Sequence, residues 1–307
     1  MTAQLSEVSP PQVTPAPSPA EVKEKRQWRK TFAFDGWGAL ALPLLVFLGL
    51  LFVVPIVALI AKSFTDPTVG FENYRAIFAD SVYVRVLINT FVVALTVTVV
   101  TLALGYPYAY VMTLVSPKWR ALMMVVILIP FWTSILVRSF ALIVLLRDTG
   151  VLNTIAMNAG ILDEPMPILR TLPGVIFGMV QIALPFMVLP IYASMRSIDP
   201  RLSLAAQALG DRPSGAFWRV FVPLSASGVA AGTLLTFVQA LGYYITPALL
   251  GGPKNMMIGE LIVQQVSTVL RFGFASALAV LLLVTTFALL AIASRIVDVE
   301  RILMGRS

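Results

Sequence analysis

Six stretches of about twenty or more continuously apolar residues, at 38–61, 87–112, 121–145, 172–195, 225–249 and 275–294, constrain this chain more than any other feature. Crossing bilayer hydrocarbon takes about 20 apolar residues as a helix, and each backbone N–H and C=O on the way must be satisfied within the protein. The apolar character is continuous rather than alternating. That argues for helices and against a membrane barrel, whose strands alternate over about ten residues. Composition agrees, with 58% hydrophobic and 12% charged residues against about 45–50% and about 25% in a soluble domain. The expected fold class is all-α, a polytopic membrane protein with six transmembrane helices.

Charge sets the expected orientation. Fourteen Lys and Arg fall in the N-terminal tail, at 113–120, at 196–224 and at 295–307, and seven fall in the loops between. Loops rich in Lys and Arg stay on the cytoplasmic side, so both termini are expected there. Residues 1–36 are rich in Pro, Ser, Thr, Glu and Lys and carry the run Lys23, Lys25, Arg26, Arg29, Lys30. They read as a disordered basic cytoplasmic tail ahead of a membrane domain at 37–307. The first apolar run is long enough to span, so it is expected to be a retained helix rather than a cleaved leader. The net charge of +7 is a matter of membrane-flanking loops, and no nucleic-acid partner is expected.

The residues that are missing exclude much chemistry. With no Cys and no His there is no thiolate nucleophile, disulfide, imidazole base, Ser-His-Asp triad or Cys/His zinc site. None of the lysines at 23, 25, 30, 62, 118 and 254 follows a glycine, so the end of a phosphate-cradling loop cannot be built. No catalytic residue, metal site or cofactor is expected, and the chain is not read as an enzyme. All 15 acidic residues lie outside the apolar stretches. That counts against a proton- or sodium-coupled carrier, which commonly places ionisable groups at mid-membrane.

Within the spans, Pro43, Pro55, Pro107, Pro130, Pro185, Pro190 and Pro247 are each expected to kink their helix. The kinks read either as irregular packing or as bent helices lining a path. Arg138 lies inside the third span and reads as a snorkelling or inter-helix cation or as part of a path. Gln181 and Gln239 read as inter-helix hydrogen-bonders. In the outer region Tyr243, Tyr244 and Glu260, with Trp132 on a facing helix, are candidate contacts for a cationic solute through cation–π and charge attraction. The other reading makes the aromatics headgroup anchors. Gly251 and Gly252 are expected to let that region reshape.

The longest loop on the expected cytoplasmic side, 196–224, reads RSIDPRLSLAAQALGDRPSGAFWRVFVPL. Asp199-Pro200 offers a helix start, Gly210 a stop, and 216–222 a second helical piece before Pro223. It reads as a helix-break-helix elbow, either an amphipathic connector on the membrane surface or a docking element whose small residues admit a close partner.

The segment resembles the coupling loop of ABC importer permeases, whose signature is Glu-Ala-Ala, three residues, Gly, then an apolar run closed by Leu-Pro or similar. Ala205-Ala206, Leu209-Gly210, Phe217, Val220 and Pro223-Leu224 fall in register, while Leu204 stands where that family has Glu. Over about residues 38–295 the chain more closely resembles the polyamine (spermidine/putrescine) permeases. That likeness is carried by Ser63-Phe64-Thr65 with Phe71-Glu72-Asn73-Tyr74 and by Pro130-Phe131-Trp132-Thr133-Ser134 with Val137-Arg138. It extends through Leu145-Leu146-Arg147 with Gly150-Val151-Leu152-Asn153, and 241–244 with 250–255.

The resemblance implies a MetI-like permease fold in a bacterial inner membrane. It implies a subunit of an ATP-driven importer of polyamines or a related small cationic solute. Its partners would be two ATPase subunits that bind ATP and Mg, a second permease subunit, an extracytoplasmic solute-binding protein and the lipid bilayer. ATPase coupling would fall to Leu204, Ala205, Ala206, Leu209, Gly210, Phe217 and Pro223. The alternatives are a permease for another small solute, or a secondary carrier.

Overall fold

The structure, a computed structural model, describes residues 36–296. The basic tail expected at 1–36 lies, but for its last residue, outside them, as does the C-terminal segment from 297. By its internal contacts the chain divides after Ile56. The first unit's described part is the opening of α1 (Gly36–Thr65), whose residues from Leu42 are almost all exposed apolar side chains.

In the second unit α1 ends in a tight turn. The Asn73 amide donates to the carbonyls of Ser63 (3.0 Å) and Asp66 (2.8 Å), and the Ser63 and Tyr74 hydroxyls lie 2.9 Å apart. This turn joins α1 to α2 (Glu72–Ala79), so the run that carried the family likeness here builds a corner. Next come α3 (Ser81–Leu114), α4 (Pro117–Trp132), α5 (Ile135–Leu146), α6 (Val151–Asn158) and α7 (Leu172–Ser197). The elbow follows, comprising α8 (Pro200–Ala208), α9 (Pro213–Ala216), a π-turn at Phe217–Phe221 and α10 (Val222–Leu224). The chain closes with α11 (Ala226–Leu241), α12 (Ile245–Leu250), α13 (Ile258–Ser267) and α14 (Phe272–Ile296).

Helices α3, α7 and α11 form the core, and glycine makes their close approach possible. A Cβ at Gly232 would stand 2.8 Å from the Met187 carbonyl, and one at Gly228 2.7 Å from the Pro190 carbonyl. In lipid, where burial of apolar side chains gives helices little reason to associate, such small-residue contacts supply the packing. Val93, Ala94, Val97, Val175, Met179, Ala183 and Ala240 fill one layer, and Met112, Met187, Val188 and Ile191 fill the layer toward the elbow. Threonines on α3 return their hydroxyls to their own helix, as Thr98 does to the Ala94 carbonyl at 2.7 Å, and the Thr90 hydroxyl also accepts from the Ile258 N–H at 2.8 Å.

Four helices are individually long and apolar enough to cross a membrane: Leu42–Thr65 of α1, α3, α7 and the Phe272–Ile292 part of α14. Two bent helix pairs raise the number to six when each pair is counted as one span. The all-α expectation holds among the described residues, but two spans are not the single helices the sequence suggested. The stretch at 121–145 breaks after Trp132 and turns by 102° between α4 and the helical segment that follows. The stretch at 225–249 breaks at Gly242–Tyr244 rather than at Pro247, which sits inside α12. It also extends back through the elbow with a 57° bend at Ser225. Proline alone does not set these positions. Pro107, Pro185 and Pro190 all lie within uninterrupted helices.

At the 102° break, Thr133 turns to an extended backbone and the Pro130 carbonyl loses its helical partner. The Thr133 hydroxyl reaches that carbonyl at 3.1 Å and the Arg138 guanidinium at 2.8 Å. The one Arg within a sequence-predicted span thus ties α5 to the negative end of α4, where a cation is favoured. Its Nε is buried and unpaired among the described residues, as are the Oε1 atoms of Gln181 and Gln239, which were expected to bond between helices.

The coupling elbow and the candidate outer site

The elbow is built by short-range rules. Asp199 caps α8, accepting from the Arg201 N–H at 2.9 Å, and Pro200 occupies the first helical position, where its missing N–H costs nothing. At the other end the Asp211 N–H returns to the Ala206 carbonyl at 3.1 Å and the Gly210 N–H to the Gln207 carbonyl at 3.0 Å, with Gly210 at φ +97. This is a Schellman closure, and it needs a left-handed residue that glycine supplies without strain. The Gly210 stop expected from sequence is therefore borne out at the level of the backbone.

The second arm starts from a contact that sequence reading missed. A Cβ on Gly215 would overlap the Asp211 carboxylate. That carboxylate also accepts from the Arg212 N–H at 3.0 Å and sits 3.7 Å from the Arg219 guanidinium. Gly-four-after-Asp was visible in the sequence, but nothing local marked the pair as touching. After α9 the helix widens over Phe217–Phe221, where the Val222 N–H reaches back to the Phe217 carbonyl. Pro223, which has no N–H to give and would crowd the carbonyl four residues back, follows at once. The Phe217 and Phe221 rings stack 5.7 Å apart and both meet Tyr110 of α3 edge-on, at 5.0 and 5.3 Å. The Tyr106 and Ser225 hydroxyls pair at 3.0 Å. The elbow is thus fastened to the end of α3.

The elbow turns several large apolar side chains outward, among polar ones such as Arg201, Gln207 and Arg219. Leu204 is 62% exposed and Leu209 91%, and Trp218 is 68% exposed. Ala205 and Gly210 are open too, and an added Cβ on Gly210 would meet nothing within 4 Å. Of the candidate coupling residues, Leu204, Ala205, Leu209, Gly210 and Pro223 stand exposed, Ala206 is half-buried, and Phe217 is the inward anchor. Behind the elbow a cavity of about 400 Å³ lies between α8, α9, the π-turn and the elbow-side ends of α3, α4 and α7.

Three of the four candidates for the outer site, Tyr243, Tyr244 and Glu260, lie near one another in the fold. Gly259 at the start of α13 abuts the Tyr243–Tyr244 break, since its Cβ would lie 3.1 Å from the Tyr244 Cβ and 3.3 Å from the Tyr243 carbonyl. Glu260 is next to it, half-buried, and its carboxyl is pushed above the ordinary carboxylate range by desolvation. It forms no ion pair among the described residues. Trp132 stands apart, 90% exposed at the end of α4 and in no ring pair among those residues. Tyr243 packs against the core layer containing Met257 and lies within electrostatic reach of Arg138.

The glycines of the adjoining loop do something other than flex. Gly251 and Gly252 hold φ −88 and −118, angles open to any residue. Their hydrogens are needed because a Cβ would stand 2.6 Å from the Pro247 carbonyl or 2.8 Å from the Arg170 carbonyl. The Arg170 N–H donates to the Leu250 carbonyl at 2.8 Å, locking this loop to the 159–171 segment. Asn153 fixes the middle of that segment, donating to the Met166 carbonyl and accepting from the Met166 N–H at 3.0 Å each.

Comparison with known proteins places this architecture. Residues 102–299, more than half of the chain, match the family described as binding-protein-dependent transport system inner membrane component. The spermidine/putrescine transport system permease protein PotB of Haemophilus influenzae is 37% identical over 209 residues, covering 68% of this chain and 73% of the relative. The protein of the same name from Escherichia coli K12 is 34% identical over 239 residues, covering 77% and 86%. Among solved structures, a chain of a bacterial alginate ABC transporter, crystallised in complex with an alginate pentasaccharide-bound periplasmic protein, superposes with a TM-score of 0.71 at 21% identity. The match covers 89% of this chain and 95% of that one, a likeness of fold. The chain is a multi-pass inner-membrane protein that belongs to the permease family of binding-protein-dependent ABC importers.

Proposed function

We propose that this chain is a pathway-forming subunit of an ATP-driven importer for polyamines or a closely related small cationic solute, and that 196–224 is the elbow through which a separate ATPase drives it. One observation carries the elbow reading. A segment whose backbone is closed by a Schellman turn and fastened to α3 by stacked rings nonetheless exposes Leu204, Leu209 and the open face of Gly210. Exposed apolar side chains on a well-built element mark an interaction surface.

Where the family has Glu, Leu204 offers the partner an apolar contact instead of a charge. The complete machine in this reading has two ATPase subunits that bind ATP and Mg, a second permease subunit and an extracytoplasmic solute-binding protein. The elbow and both termini lie on the cytoplasmic side, in accord with the Lys and Arg distribution. Closure of the ATPase pair moves the elbows, and the bent helices exchange inward-open for outward-open access.

The polyamine reading rests on the relatives' names and on the site where Tyr243, Tyr244 and Glu260 converge. A half-buried carboxyl group on the residue after Gly259, which abuts the Tyr243–Tyr244 break, would suit an ammonium group by charge, and the tyrosines would suit it by cation–π attraction. Trp132 joins this site only if a partner subunit or another access state brings it there. Reconstitution with the ATPase and binding protein in proteoliposomes tests the assignment: labelled spermidine or putrescine should accumulate in an ATP-dependent manner, and ATP-driven uptake of some other solute without either polyamine would overturn it.

A further inference from the structure

The cavity behind the elbow is lined by none of Leu204, Leu209 and Gly210, and its lining has a defined chemistry. Of about 400 Å³, it is walled by Arg120 at the start of α4, by Tyr192 and Arg196 at the end of α7, by Ser203 and Gln207 of α8, and by Phe217. Two guanidinium-bearing residues and several hydroxyl and amide groups line it, and no carboxylate does. The Arg120 guanidinium already donates to the carbonyls of Met112 at 3.0 Å and Val115 at 3.3 Å. That holds it in place at the end of α3 and leaves Nη1 outside these bonds. Arg196 is exposed and has no ion pair among the described residues. In the same wall, Tyr192 is 7% exposed and its enclosed hydroxyl lacks a hydrogen-bond partner among those residues. The remaining walls are apolar, with Leu114, Met195 and Phe221.

We infer that this cavity takes the phosphodiester headgroup of an anionic phospholipid from the cytoplasmic leaflet, with its glycerol and upper acyl carbons against the apolar walls. Basic pockets between membrane helices on the cytoplasmic side hold anionic headgroups because the leaflet's charge concentrates them there. Guanidinium groups also match phosphate oxygens in pairs. A free phosphate would use the same cations but leave the apolar walls uncovered. Seated there, the headgroup touches α8 on one side and α4 and α7 on the other, so it fills the space into which the elbow would otherwise move. The lipid thereby stiffens the lever between the ATPase and the helices.

The test uses the whole transporter in nanodiscs of phosphatidylcholine with or without phosphatidylglycerol. Native mass spectrometry should show tightly retained phosphatidylglycerol on the wild type. Retention should fall about fivefold in Arg196→Gln, the equivalent of ~1 kcal/mol per basic residue near the surface. Arg120→Lys, which keeps the charge and spares the end of α3 a full truncation, should show a smaller loss. Amide exchange over 200–217 should slow with phosphatidylglycerol in the wild type and not in Arg196→Gln. Equal lipid retention by wild type and Arg196→Gln would overturn the inference. So would slowing of the same amides by inorganic phosphate in phosphatidylcholine alone, since the occupant would then be a soluble anion. None of these readouts depends on which solute is carried.

Discussion

Substitution at Gly210 separates a backbone requirement from a docking requirement, because the structure makes the two independent. At φ +97 any side chain pays the left-handed penalty, about 1–2 kcal/mol for a residue with a Cβ. That penalty falls on the Schellman closure, and it shifts the local population of the closed elbow by about 5- to 30-fold. Yet nothing in the chain lies within 4 Å of the added Cβ. Within the subunit alone, Gly210→Ala and Gly210→Trp therefore carry nearly the same strain, and Gly210→Asn less, since asparagine tolerates left-handed angles. If Gly210 faces a partner at close range, the Trp side chain must collide with something the Ala methyl group does not.

Two measurements on detergent-solubilised protein settle it: the thermal unfolding midpoint of the isolated subunit, and the amount of ATPase subunit that co-purifies with it. The midpoints of the Ala and Trp variants should agree. ATPase recovery should fall modestly for Asn and Ala and by a further tenfold or more for Trp. Equal recovery for Ala and Trp would mean that Gly210 serves its own turn only, and the docking surface would have to be sought elsewhere on the elbow. Gly215→Ala supplies the opposite control. Its Cβ meets the Asp211 carboxylate, so it should lower the isolated subunit's midpoint before any partner is present.

Three further outcomes follow. Because the Arg138 guanidinium holds the Pro130 carbonyl at the break, Arg138→Met should destabilise the subunit by about 1–3 kcal/mol in thermal unfolding, with Arg138→Lys between the two; an unchanged midpoint would remove Arg138 from the break. Desolvation raises the folded pKa of Glu260 above its unfolded value, so folding favours the neutral form: that stability is complete below the unfolded value and is lost as pH rises through the folded one. Glu260→Gln should consequently raise the midpoint at neutral pH while lowering cation uptake, and it should abolish the decline in wild-type uptake as pH falls through the raised pKa; unchanged uptake at every pH would sink its role at the outer site. Cysteine reporters in this cysteine-free chain read the orientation: Val69→Cys, 86% exposed, and Lys254→Cys should react with an outside-only thiol reagent and Ser214→Cys should not, whereas Asn73, buried in its turn, makes a poor reporter.

The spans were legible because lipid imposes one rule along their whole length, and the elbow because caps and stops act over three or four residues. Asp199-Pro200 and Gly210 announce themselves in any surroundings. The breaks were not legible, since a proline's lost bond can be absorbed in place, as Pro185 and Pro190 show within α7. At the 102° break a distant side chain takes over a freed group, and Arg138 meeting the Pro130 carbonyl is a bond across eight residues that no periodicity reports. The same limit hid Gly215. It also misassigned Gly251 and Gly252, whose requirement is a carbonyl passing close by rather than a freedom of angle.

Those tertiary contacts bear on how a push at the elbow could reach the membrane. A lever transmits displacement only if it yields less at its joints than at its tip. The elbow has a hydrogen-bonded closure between its arms, an aspartate wedged against a glycine at the second arm, and a three-ring contact onto α3. Its continuation, α11, packs on α7 through glycines that leave no gap to absorb motion. The compliant part is the cavity side, where α8 faces open volume. With the cavity empty, movement of α8 toward α7 should therefore be easy, and a lipid seated there would restrain it; movement of the Phe217–Phe221 arm should drag α3 and α11 together. Since α11 leads through the Gly242–Tyr244 break into α12 and α13, the same drag would arrive beside Glu260, so the proposed drive and the proposed outer site would share one continuous run of chain.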